Sequence, residues 1–171
     1  MMNIDEFIKE SNLRLIQLYG GKDLVDPITR ITDNLFLGQG RITAHAEILI
    51  KLGITHVVSI GRTPHEEVIN GPFFKFELQG LLDNNNENLS IHFPTIFAFM
   101  RKAISDGGRV IIHCEMACSR APVVMIAFLR ANGYHKSLQE AYDYVKLKRP
   151  WIAPNEGFKR QLRKFFSEKL I

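Results

Sequence analysis

VIIHCEMACSRAPVVMIAFL occupies residues 110–129, and its reading decides how the rest of the chain is understood. It opens as a β-branched apolar run and closes as a longer apolar run, with a polar break between them. Both cysteines of the chain, Cys114 and Cys118, fall in that break beside His113, Glu115, Met116, Ala117, Ser119 and Arg120. A core segment has no need of such polarity. A tight loop between a strand and a helix does, because consecutive backbone N–H groups and a helix N-terminus make an anion cradle. A cysteine held there sits in positive potential, which favours the nucleophilic thiolate. Arg120 lies six residues after Cys114 and can return to the mouth of the loop, holding two phosphate oxygens in a bidentate fork. Thiolate, amide donors (residues 115–120) and guanidinium are the parts needed to attack a phosphate ester.

Blander readings exist for each residue. Cys114 could be a buried strand-end cysteine and Arg120 a surface charge, since free cysteine is usually buried and inert. A zinc site is disfavoured. His113 and Cys114 are adjacent, so they point to opposite faces of a strand, and no second ligand pair follows at finger spacing. No metal and no cofactor are expected.

Working outward, RVIIHC (residues 109–114) reads as a buried strand. ITRITDNLFLGQG (28–40) reads as two short strands joined at Asp33-Asn34, and ITHVVSIG (54–61) and FFKFEL (73–78) as two more. Ile4, Phe7, Ile8, Leu15, Ile16 and Leu18 recur at helical spacing, with Gly20-Gly21 as the stop. Further helices are expected over 42–53, ended by Gly53; over 91–108, with Pro94 in the first turn; and over 121–133, 137–150 and 154–170. LQGLLDNNNENLS (78–90) is a polar loop. Strands alternating with helices, then a helical C-terminal block, indicate an α/β domain.

The 171 residues, 46% hydrophobic and 23% charged, suit one globular domain. The formal charge of +4 is spread along the chain, which fits an anionic substrate better than a nucleic-acid-binding arm. No stretch is apolar for long enough to span a bilayer, nothing reads as a signal peptide or membrane anchor, and two cysteines four residues apart are no disulfide framework. An intracellular, reducing compartment, cytoplasmic or also nuclear, is expected.

HCEMACSRA (113–121) resembles the His-Cys-x5-Arg signature of the cysteine-dependent protein tyrosine phosphatases. ITDNLFLGQ (31–39), LGITHVVSIG (52–61) and PNEGFKRQLRKF (154–165) resemble the small dual-specificity phosphatases in particular. The resemblance covers about residues 28–166. It implies a single-domain cysteine-phosphatase fold with a central, mostly parallel twisted sheet flanked by helices. Residues 28–171 would form the catalytic domain, and residues 1–27 a helical extension packed on it. It also implies phosphotyrosine and phosphoserine/threonine proteins as substrates, turned over through a phosphocysteine.

Departure of the ester oxygen needs a proton. LLDNNNENLSIHF (81–93) offers Asp83 and Glu87. In the family the acid opens this loop ten residues before a Phe on the next helix, a spacing that Asp83 and Phe93 match, so the resemblance assigns the acid to Asp83. Asp83 can equally start a turn with its neighbouring asparagines. His113 is expected to orient and support the thiolate, or simply to pack in its strand. Ser119 is expected to hydrogen bond to the thiolate or the phosphate. Cys118 is either a protective disulfide partner for Cys114 or a space filler.

Two positions depart from the family. Ala117 stands where it usually has Gly, and Ala121 where it usually has Ser or Thr. A Cβ at Ala117 strains a loop that needs unusual φ/ψ. The hydroxyl missing at Ala121 normally helps the thiolate leave. RAPV is similar to phosphatases of the regenerating-liver type, and slow turnover is expected. Two rivals stay open: a phosphoprotein-binding module of weak activity, and a phosphatase for a lipid, RNA 5′-phosphate or sugar. Glu115 beside the pocket, with no Lys or Arg at the variable loop positions, speaks against highly anionic substrates such as polyphosphoinositides.

Overall fold

The β-branched run before Cys114 lies at the centre of a five-stranded sheet. The structure is a computed structural model that describes residues 1–20 and 25–171; Gly21, the second glycine of the expected stop, lies outside them. The strands are β1 (Ile28–Arg30), β2 (Leu35–Gln39), β3 (His56–Ile60), β4 (Phe74–Leu78) and β5 (Val110–Cys114), in spatial order β1-β2-β5-β3-β4. β1 runs antiparallel to β2 and every other pair is parallel. β2, β5 and β3 are buried along their whole length, as expected where helices cover both faces of a parallel sheet.

One face carries α1 (Ile4–Tyr19), α2 (Ala46–Lys51) and α3 (Glu66–Ile69) over Phe36, Val57 and Ile111. The other face carries α4 (Phe93–Ser105), α5 (Arg120–Ala131), α6 (Leu138–Lys148) and α7 (Glu156–Phe166) over Leu35, Leu37, Val58, Val110 and Ile112. Side chains alternate across a strand, so His113 belongs to the first face and Cys114 to the second. α5 is buried from Ala121 to Leu129 and is the spine of the larger core.

α1 starts at an Asn3 cap and stops at Gly20, whose φ of 51° suits glycine. Ile8 and Leu15 pack into the core, while Leu18 is exposed. Asn12 binds the sheet edge like a short strand. Its amide donates to Ile28 O (2.8 Å) and its carbonyl accepts from Ile28 N (3.0 Å), which covers part of an edge that would otherwise expose unpaired groups.

Two expected helices need correction, and one helix was not expected. The helix over 42–53 is split into a 3-10 turn, Gly40–Ala44, and α2, with His45 between them at φ −132°. Thr43 explains the break: its hydroxyl donates to Gly40 O and accepts from His65 N, competing with a continuous helix. The segment between β3 and β4 contains α3, capped by His65. The last helix ends at Phe166, short of 170, where Ser167 turns left-handed (φ 53°) and Ile171 N reaches Gln139. Pro94 sits in the first turn of α4, where its missing N–H costs nothing. No helix among the described residues is long and apolar enough to cross a membrane.

Candidate active site

β5 delivers Cys114 to the carboxyl end of the sheet, the usual place for a ligand in an open α/β fold, and α5 leaves from Arg120. The connecting residues turn sharply. Ala117 takes φ 52°, a left-handed conformation that costs a residue with a Cβ about 1–2 kcal/mol. The strain expected of this alanine is therefore present.

Something must hold such a loop, and it is held by its carbonyls. Gly40 N donates to Glu115 O (2.9 Å), Arg149 Nη2 to Met116 O (3.1 Å), Arg149 Nε to Ala117 O (2.8 Å) and Ala153 N to Cys118 O (2.7 Å). The N–H and C=O of one planar peptide unit point in opposite directions. Carbonyls bonded to the surrounding scaffold therefore turn the amides of residues 116–119 toward the inside of the loop. Arg149 is wholly buried and stacks on Trp151, 5.0 Å from the ring centroid. Its Nη1 also donates to Asp26 O and Thr29 Oγ1, so one guanidinium ties β1 to the loop. Burial lowers its pKa to about 10, opposed by the Cys118 and Cys114 sulfurs and Asp26, so it remains charged at neutral pH beneath the loop.

Cys114 is only 2% exposed, at the floor of this cradle. Arg120 Nη1 donates to Leu81 O (2.9 Å), while Nε is buried and meets no acceptor among the described residues. Gly61, at φ 71°, makes the room, since a Cβ there would lie 2.3 Å from Arg120 Nη1.

Asp83 is brought to the loop and Glu87 is not. Asp83 Oδ1 accepts from Ser119 Oγ (2.7 Å) and from Asn155 Nδ2 (2.8 Å). The backbone carbonyl of Glu87 accepts from Gln161 on α7 instead. Ser119 thus bonds to the carboxylate and not to sulfur; its oxygen also accepts from Asn155 N (3.1 Å). Asn155 in turn caps α7 through Phe158 N.

His113 lies on the face of the sheet away from sulfur. Its ring bonds Ser59 Oγ (2.7 Å) and, more weakly, the Cys114 carbonyl (3.4 Å). Burial pushes its pKa down to about 4, with Arg62 and Arg120 adding to the effect against the bond to Cys114 O, so it is neutral and holds the strand end in place. Cys118 is half-buried with its thiol at 3.4 Å from Met116 O, and neither cysteine is in a disulfide. Glu115 points outward and forms an ion pair with Arg62. Among the described residues no group of three or more His, Cys, Asp or Glu could hold a metal ion.

The structure therefore gathers Cys114, Arg120, Asp83 and Ser119 at one end of the sheet and places His113 behind them. Sequence reasoning missed Arg149, Asn155, Arg62 and Gly61. Asn155 alone left a signal, an Asn before an amphipathic helix, and that signal spoke of a cap.

A family model described as "Dual specificity phosphatase, catalytic domain" matches residues 35–168. Mouse dual specificity phosphatase 28 is 32% identical over 145 residues, covering 81% of this chain and 83% of the relative. Human dual specificity protein phosphatase 9 is 36% identical over 137 residues, covering 80% of this chain and 35% of the relative. The chain thus spans about a third of that relative's length. The crystal structure of human DUSP28 superposes with a TM-score of 0.75 at 29% identity, covering 81% of this chain and 92% of that one.

Proposed function

Because the chain belongs to the dual specificity phosphatase family, we propose that it hydrolyses phosphotyrosine and phosphoserine or phosphothreonine on proteins through a phosphocysteine. Cys114 Sγ attacks phosphorus, an S–P bond forms and the P–O ester bond breaks. The Asp83 carboxyl gives its proton to the departing oxygen. Asp83, now a carboxylate, takes a proton from water as that water attacks phosphorus. The S–P bond breaks and inorganic phosphate leaves. Arg120 and the inward amides hold the equatorial oxygens throughout.

One observation carries this reading. The carbonyls of residues 115–118 are all bonded to the scaffold, which leaves four amides turned toward the inside of the loop and a buried Arg120 Nε with no acceptor among the described residues. A loop whose only task was to join β5 to α5 would not need them so arranged. Two free cysteines support a reducing compartment, the cytoplasm or nucleus.

The test is hydrolysis of a panel of phosphotyrosine, phosphoserine and phosphothreonine peptides by the wild type and by Cys114→Ser. Turnover by the wild type and its loss in the variant, with phosphate binding kept, is the expected result. Hydrolysis by Cys114→Ser above about a hundredth of wild type, well above what removing the nucleophile leaves, would remove Cys114 from its role.

A further inference from the structure

Beside the loop, on the far side of Glu115, lies a second cleft of about 470 Å³ between the 3-10 turn Gly40–Ala44 and the β3–α3 connection. Its lining includes Arg41, Arg62, Thr43, His65 and Glu66. It is contiguous with the cradle. Gly40 N donates to Glu115 O, and a Cβ on Gly40 would lie 3.1 Å from Cys114 O and 2.9 Å from Arg62 Nε.

Most polar groups there are already engaged. Thr43 joins Gly40 O to His65 N, and His65 Nδ1 caps Glu67 N. The two guanidiniums are not so committed. Arg41 lies 5.1 Å over the Tyr19 ring and has no carboxylate partner among the described residues. Among the described residues Arg62 is ion-paired only with Glu115, and the two side chains are 47% and 50% exposed. An exposed, solvent-screened ion pair contributes little, so an incoming anion can replace Glu115 at little cost. A dianionic phosphate suits the fork better than a monoanionic carboxylate.

We propose that this cleft is a second anion subsite, in which Arg62, assisted by Arg41, takes an acidic or phosphorylated side chain next to the residue being dephosphorylated. Glu115 is its internal competitor. The assignment rests on the phosphatase reading of the neighbouring loop and gives it a substrate class: phosphopeptides with a nearby negative charge.

The experiment compares three peptides that differ only in one flanking residue: alanine, glutamate or a second phosphoresidue, walked through the positions on either side of the scissile one. For the wild type, kcat/KM is expected to rise by about tenfold for the best flanking anion, the worth of one charge-assisted hydrogen bond at a partly exposed site, and through KM. The glutamate and phosphate arms distinguish the two sources of charge. In Arg62→Ala the ratio of flanked to unflanked peptide should fall toward one; in Arg62→Lys it should stay between, the charge being kept and the fork lost. In Glu115→Gln the ratio should rise. A wild-type ratio near one at every position, or a ratio untouched by Arg62→Ala, overturns the subsite. If the wild type hydrolyses none of the peptides, the phosphatase reading fails on its own. The same ratios are then read as binding of labelled peptides to Cys114→Ser, where their absence overturns the subsite separately.

Discussion

The loop that carries Cys114 and the loop that carries Asp83 meet at Ser119, yet they are held by different means. The first is pinned from beneath by Arg149, a guanidinium with no solvent exposure that spends four donations on carbonyls and a threonine. The second is exposed at Asp83 and fixed there by two hydrogen bonds at the surface, from Ser119 and Asn155. The difference matches the tasks proposed for them. A cradle for a transition state must be preorganised, because a shift of about 1 Å can cost a hundredfold in rate. An acid must deliver a proton and then take one from water, so it needs access and few constraints. Rigidity is built where charge is bound, and exposure where protons move.

Breaking the cradle should have the largest effect. Arg149→Ala leaves buried carbonyls without donors, so unfolding free energy should fall by about 3 kcal/mol or more. In the same variant kcat/KM should fall by at least about a hundredfold. Arg149→Lys should rescue little, since one ammonium cannot span Met116, Ala117 and Asp26. Denaturant melts alongside kinetics check this, and a stable, active Arg149→Ala would end the comparison.

Next comes the support behind the cradle. His113 is neutral in the fold with a pKa near 4, against 6.5 in an unfolded chain. Above pH 6.5 both states are neutral and stability is full. As pH falls from 6.5 toward 4 the unfolded chain gains a proton that the fold refuses, and stability should drop by up to about 3 kcal/mol. His113→Gln should flatten that slope in melts taken across the range; an unchanged slope would place the titration elsewhere.

The acid loop should behave oppositely to Arg149. Asp83→Asn keeps the oxygen that Ser119 and Asn155 bond, so stability should hold. The value of kcat should still fall by about a hundredfold for esters with poor leaving groups, and much less for good ones. An equal loss across a leaving-group series would give Asp83 a structural role instead. The smallest effect concerns Ala121, buried at the start of α5. Ala121→Ser supplies a donor to the departing sulfur and should raise steady-state kcat by about tenfold while shrinking the burst. No burst in the wild type and no gain in the variant would remove slow breakdown as the limit.

How much of this the sequence disclosed follows the same division. Cys114, Arg120 and the strand and helix around them were legible because their spacing is local: a β-branched run, six residues, an apolar helix. The strain at Ala117 was legible from the resemblance, which usually has Gly there. Arg149 was not. In KLKRP it looks like one more cation at a helix end, and only the fold shows that it is buried 32 residues away from the carbonyl it binds. Asp83 could be chosen over Glu87 only through the resemblance, and its anchoring by Asn155, 72 residues on, could not be read at all. The 3-10 break at His45 and the helix α3 escaped because Thr43 and His65 bond across segments that periodicity treats separately.

The proposed chemistry requires sulfur to make a covalent bond in a cradle built for phosphate. Acid quenching within one turnover, with a fast-leaving aryl phosphate, tests it most directly by locating the trapped phosphate on the digested chain. A phosphate on the peptide containing Cys114, absent in Cys114→Ser, is the predicted result. Turnover without a trapped phosphate, or phosphate on another residue, would contradict it.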